Sequence, residues 1–166
     1  MTSLDDQLVL ERLALGYEVE LCQDLAPRET PYALPAQAEL HLPAYPAESE
    51  QQRVWYWSAL HELAHLVLEH QPDDSLPAQI LAEWEAQAWL IAFELAERPL
   101  DVVGASLAAY AFSSYWSPDL YEPPEGEFGH LLALLAPLAQ PESFTRLVGL
   151  DFAQLAAESY AAWLSA

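Results

Sequence analysis

Residues 57–70 read Trp57-Ser58-Ala59-Leu60-His61-Glu62-Leu63-Ala64-His65-Leu66-Val67-Leu68-Glu69-His70, and this one stretch holds three of the chain's five histidines. Upstream Val54, then Trp57, Leu60 or His61, Ala64 and Leu68 recur by threes and fours, which predicts a helix from Glu48 to about His70. Positions four apart on such a helix lie about 40° apart around its axis, so His61 and His65 can offer two imidazole nitrogens to one metal ion. Glu62 is one residue round from the first of them. Its carboxylate then sits beside the ion, where it can take a proton from a metal-activated water and pass it to a leaving amine. The pattern H-E-x-x-H therefore specifies two ligands and one base on one helix. The competing explanation is three polar residues at this spacing by chance, on a surface or in a satisfied core. The flanking Trp55, Trp57, Leu60, Leu63, Leu66 and Leu68 favour a lined, partly dry cleft instead.

A catalytic zinc needs a third protein ligand and an open fourth position. The longer pattern H-E-x-x-H-x-x-G-x-x-H fails here, because Leu68 stands for the glycine and Gln71 for the third histidine. His70 is five positions beyond His65, rotated about 140° on a continuing helix, and reads as a C-terminal residue favoured by the helix dipole. The better donors lie on the next helix, in Leu81-Ala82-Glu83-Trp84-Glu85-Ala86-Gln87-Ala88-Trp89. Glu85 is rotated about 200° from Glu83, so the two cannot share a face. Glu83 is the candidate third ligand and Glu85 its competitor. Gln87, four residues after Glu83, is the candidate partner for a ligating histidine's second nitrogen, the contact that fixes the tautomer.

Working outward, Ser3 with acids at Asp5 and Asp6 and leucines at 8, 10, 13 and 15 predicts a capped helix ending near Gly16. Tyr17–Leu21 and Ala38–Leu42 alternate as strands, the second closed by Pro43 and Pro46 and assigned to a short edge. Further helices are expected from Leu76 or Pro77 to Glu97 and near 100–115, 127–138 and 142–164, with Ser117–Gly126 as the strongest break. The fold expected is α+β and helix-dominated, with a small antiparallel or mixed sheet packed on the motif helix. At 166 residues and 53% hydrophobic content, one domain over 1–166 is expected. Within it, 1–47 supply a helix and the small sheet, 48–99 the two ligand helices, and 100–166 a helical C-terminal part.

Charge narrows the partners. The chain has 26 acidic residues against 5 basic ones, all arginine, for a net charge of −21. Such a surface repels phosphate backbones, so no direct nucleic-acid binding is expected, while a basic protein partner, DNA mimicry or plain solubility stay open. An apolar run of about 18 residues is missing, the amino terminus is acidic, and the single cysteine permits no internal disulfide. These features predict a cytoplasmic protein with no membrane partner.

The stretch Arg53–His70, with its arginine, aromatics and H-E-x-x-H, and the stretch Glu83 to about Pro99, with a glutamate opening an E-x-x-A-N-x-F-like segment, resemble the ImmA/IrrE family of minimal gluzincin metallopeptidases. The resemblance covers roughly residues 35–99. It implies zinc, or manganese as the alternative ion, held by His61, His65 and Glu83, with Glu62 as general base. It also implies a protein substrate, often a transcriptional repressor. The sequence departs from the family pattern at Gln87, where asparagine is usual, at Trp89-Leu90, and at Leu95-Ala96-Glu97-Arg98-Pro99. In peptidases of this class an extended substrate adds to an edge strand, which would make Leu40, His41 and Leu42 the substrate strand. Tyr110, Tyr115, Tyr121 and His130 are the candidate oxyanion donors. The rival expectation is an acidic, metallopeptidase-like interaction protein or DNA mimic without proteolytic activity, and a metal-dependent hydrolase acting on another bond is a third.

Overall fold

The alternation Glu39-Leu40-His41-Leu42-Pro43 organises the amino-terminal half, because Leu40 and Leu42 are fully buried while Glu39 and His41 carry the polar groups. The computed structural model describes residues 3–71, 73, 75–115, 127–149 and 152–165. Their elements run α1 (Ser3–Gly16), β1 (Glu20–Leu25), β2 (Tyr32–Leu34), β3 (Glu39–Pro43), α2 (Ser49–Val67), α3 (Ala78–Leu95), α4 (Val102–Tyr115), α5 (Glu127–Leu135), α6 (Phe144–Val148) and α7 (Ala153–Leu164). This is a helix-dominated α+β chain with one small mixed sheet. It divides into two compact units, one formed by Met1–Gln71 and Ile91–Pro99, the other by Pro72–Leu90 and Leu100–Ala166. Among the described residues, no helix is long and apolar enough to cross a membrane.

In the first unit the strand order is β1-β3-β2, with β1 parallel and β2 antiparallel to β3. The strand over 38–42 is therefore the middle of the sheet. Its backbone groups are committed on both sides, so the expectation of an edge at Leu40, His41 and Leu42 is corrected: they cannot template an added peptide, and the outer strands are β1 and β2. Pro43, which suggested an edge, lies opposite Leu25 just past a slip in the β1–β3 register between Cys22 and Leu25. A proline without an N–H is tolerated where the ladder is already broken.

Three other boundaries moved for local reasons. The strand expected at Tyr17 begins only at Glu20, because Glu18 adopts a left-handed conformation (φ 58°) and the N–H groups of Glu18 and Val19 cap the carbonyls of Leu15 and Ala14. This is the Schellman closure of α1. The short β2 was not expected between Pro31 and Pro35. The single helix expected over 142–164 splits into α6 and α7 at Gly149, whose φ of 68° ends α6.

The core of the first unit lies between the sheet, α1 and α2, where Val9, Leu10, Ala14, Leu40, Leu42, Tyr56, Trp57, Leu60 and Leu63 are buried. Three polar contacts brace it, two of them made by α2. Trp55 donates its indole N–H to the Pro43 carbonyl at 2.9 Å, Tyr45 donates its hydroxyl to Asp6 at 2.8 Å, and Tyr56 accepts the Glu97 N–H at 3.1 Å. Burial and the adjoining Asp6 push the Tyr45 hydroxyl pKa well above its ordinary value. Arg98, in the segment that departs from the family pattern, lies 5.0 Å over the Tyr56 ring and 3.5 Å from the Asp6 carboxylate. That segment thus ties the end of α3 to α1 and α2.

The second unit packs through aromatic rings. Phe112 of α4 stacks on Trp163 of α7 with centroids 5.0 Å apart, and Tyr110 meets Phe144 edge to face at 5.7 Å.

Candidate metal centre

The helix α2 forms because its buried residues, Trp55, Tyr56, Trp57, Ala59, Leu60, His61, Leu63 and Ala64, fall on one broad stripe facing the core of the first unit. His61 lies within that stripe and His65 at its border, so both imidazoles are held by packing. Their Nε2 atoms converge to 3.2 Å, and the rings meet edge to face at 4.6 Å. Two nitrogens bound to one tetrahedral zinc at about 2.0–2.1 Å stand about 3.3 Å apart. The pair therefore fits a shared ion without rearrangement. Glu62 places its Oε1 3.5 Å from His61 Nδ1, with about a fifth of its side chain exposed (21%). The carboxylate is beside the two converging nitrogens and reachable by water.

The Nδ1 of His65 is met by His70. The helix stops at Val67, and Glu69 turns left-handed with φ 56°. The Glu69 N–H then bonds the Leu66 carbonyl (3.1 Å) and the His70 N–H bonds the His65 carbonyl (3.0 Å). This Schellman closure folds His70 back over the last turn, bringing its Nδ1 to 2.9 Å from His65 Nδ1. A ring rotated away on a continuing helix becomes a buried neighbour (7% exposed). For His65 to present Nε2 to an ion its Nδ1 must carry the proton and donate to His70, the outer-shell arrangement expected of a metal-binding histidine. Neither sequence period nor spacing signals this; the only hint is the Gln71-Pro72 stop.

Glu69 pays a conformational penalty at a position that favours glycine. We expect Glu69→Gly to stabilise the protein by roughly 0.5–1 kcal/mol, read as a rise in the denaturant midpoint at unchanged slope. An unchanged or lower midpoint would contradict the role of the left-handed closure.

The buried residues of α3 are Ala82, Glu85, Ala86, Ala88, Trp89 and Ala92. Glu85 is 7% exposed, whereas Glu83 is on the exposed face. A water-facing carboxylate gains little from an ion, while a buried one requires a partner. Of the expected residues on α3, Glu83 is thus exposed and Gln87 half-buried, while the competitor Glu85 is buried and some 200° round from both.

The other expected residues lie elsewhere. Tyr110 is a core residue of the second unit, and burial there raises its hydroxyl pKa. His130 is exposed on α5. Tyr121 and the side chain of Tyr115 lie outside the described residues.

His41 lies on the central strand of the sheet, not on an edge. Sheet parity places it opposite to the core-facing Leu40 and Leu42, where Tyr32 stacks on its ring at 4.7 Å and 6°. Its Nδ1 lies 2.9 Å from both carboxylate oxygens of Asp24 and its Nε2 2.9 Å from Glu39. Glu39 first, then Asp24, raise its pKa above the ordinary histidine value. The neighbouring Cys22 thiol is raised as well, by desolvation and then by Glu39, Glu20 and Asp24.

No family model, curated protein or solved structure matches the chain.

Proposed function

We propose that the protein is a zinc-dependent endopeptidase of the ImmA/IrrE type, in which His61 and His65 hold the ion, a carboxylate completes the ligand set and Glu62 is the general base. The observation that carries this reading is the 3.2 Å approach of the two Nε2 atoms, with His70 behind His65 fixing the tautomer that ligation requires. Glu83 and Glu85 are the candidate carboxylates, of which Glu85 is buried and Glu83 exposed. α3 is unbroken from Ala78 to Leu95, and its last turns pack on the motif helix through Phe93 and Trp57, 5.9 Å apart.

When bound, the ion would acidify a water molecule and polarise the scissile carbonyl. Glu62 accepts the proton released as the water attacks and returns it to the departing amine, which balances the hydrolysis. His70 holds His65 in register through this exchange by keeping the proton on His65 Nδ1. The net charge of −21 favours polypeptide substrates with basic segments and disfavours nucleic acid. The same charge supports the second reading, an acidic protein that binds a basic partner without cleaving it. We place the protein in the cytoplasm on the absence of any feature that demands an oxidising compartment.

Metal content of the untagged protein, measured by elemental mass spectrometry after zinc loading, tests the ligand set. Relative to the parent protein, His61→Ala is expected to lose one ion per chain, and of Glu83→Ala and Glu85→Ala only the variant at the third ligand. Retention of the ion by both glutamate variants would overturn a third ligand among them, and no loss with His61→Ala would overturn the site.

A further inference from the structure

A second group of donors sits on the polar face of the sheet, within the first unit and apart from α2. We propose that Cys22, Glu39 and His41 form a second divalent-cation site, of zinc type, with Asp24 as the residue that orients His41. One ligand atom from each of the three, the thiol sulfur, a carboxylate oxygen and an imidazole nitrogen, lies within 4.8 Å of the others.

The strand register creates this group. Cys22 is the direct partner of His41 across the parallel β1–β3 ladder, and Glu39 precedes His41 by two residues on β3, so all three project from one face. Between Cys22 and Leu25 the register slips. A slip of this kind re-aims side chains, and Asp24, inside it, reaches His41 Nδ1 with both oxygens at 2.9 Å. The other nitrogen, Nε2, is left directed at Glu39 Oε2, 2.9 Å away. A carboxylate on one nitrogen and the opposite nitrogen aimed into a donor cluster is the carboxylate–histidine–metal arrangement. Tyr32, stacked on the ring, keeps it from rotating.

The donor chemistry selects the ion. One sulfur, one nitrogen and one oxygen suit zinc and other borderline divalent ions, not magnesium or calcium, which prefer oxygen alone. A charged imidazole bridging two carboxylates would account for Asp24 and Glu39 but leave Cys22 without a role. An ion uses Cys22, Glu39 and Nε2 together, and the thiol proton, with any proton on Nε2, leaves to solvent on binding. The site would clip β1 to β3 at the point where their hydrogen-bonded ladder is interrupted.

The chain has a single cysteine, so a thiolate-to-metal absorption band reports this site alone. The test is cobalt(II) titration of the full-length, untagged, metal-stripped protein. The expected result is a near-ultraviolet thiolate-to-cobalt band at saturation, lost in Cys22→Ser, lost or strongly weakened in His41→Ala and kept in His61→Ala, with Cys22→Ser losing one ion per chain by elemental analysis. Persistence of the band in His61→Ala separates this site from the centre proposed on α2, whose donors contain no sulfur. Absence of the band in the parent protein, together with an unchanged rate of Cys22 alkylation when zinc is added, would overturn the proposal without bearing on the α2 centre.

Discussion

Glu62→Gln is expected to retain zinc at the parent stoichiometry and to lower peptide-bond cleavage by about 10²–10⁴-fold, the usual contribution of a positioned base. The reasoning is geometric. Glutamine preserves the size of the side chain and its placement beside His61, so the helix and the two converging nitrogens are undisturbed. It removes only the ability to take up a proton. Zinc-loaded parent and variant would be incubated with a denatured, unfractionated polypeptide mixture, and new amino termini counted by mass spectrometry. Metal retained with cleavage lost supports the assigned base. Equal cleavage by both would sink the mechanism, and metal lost from the variant would show Glu62 to be a ligand.

The parts of the site legible in the sequence are those governed by one unbroken period. His61, Glu62 and His65 share a helix whose apolar stripe is visible residue by residue, so their relation follows from helix geometry alone. His70 was hidden because the helix ends on a left-handed glutamate, Glu69, where glycine would have announced the closure. Glu85 and Glu83 were separated correctly as belonging to opposite faces, but α3 has apolar residues at Leu81, Ala82, Trp84, Ala86, Ala88 and Trp89. A helix apolar nearly all round does not declare which face is buried. The sheet hid its order for a different reason. β2 is three residues long between prolines, too short to alternate, and without it the strand containing His41 reads as an edge. Cys22 and Asp24 then appear unrelated to His41, since only the parallel pairing of β1 with β3 brings them to its imidazole.

Trp57→Ala should be the most destabilising single substitution in the first unit, costing about 3–5 kcal/mol. Its side chain is fully buried and meets two rings edge to face, Tyr56 at 5.3 Å and Phe93 at 5.9 Å. Such pairs add about 0.5–1.5 kcal/mol beyond area burial. Alanine leaves a cavity that the rigid neighbours on α2 and at the end of α3 cannot collapse to fill, and the loss is comparable with the total stability of many domains, about 5–15 kcal/mol. Because Trp57 precedes His61 by one helical turn, the cavity would also loosen the packing that holds the first imidazole. Denaturant unfolding monitored by circular dichroism gives the energy, and zinc affinity of the folded fraction gives the coupling. Trp57→Phe restores an aromatic face for Phe93 and should recover most of both. A cost below about 1 kcal/mol for the alanine variant would mean that Trp57 does not anchor α3 to α2, and the route by which α3 is held beside the motif helix would have to be sought in the Tyr56, Glu97 and Arg98 contacts instead.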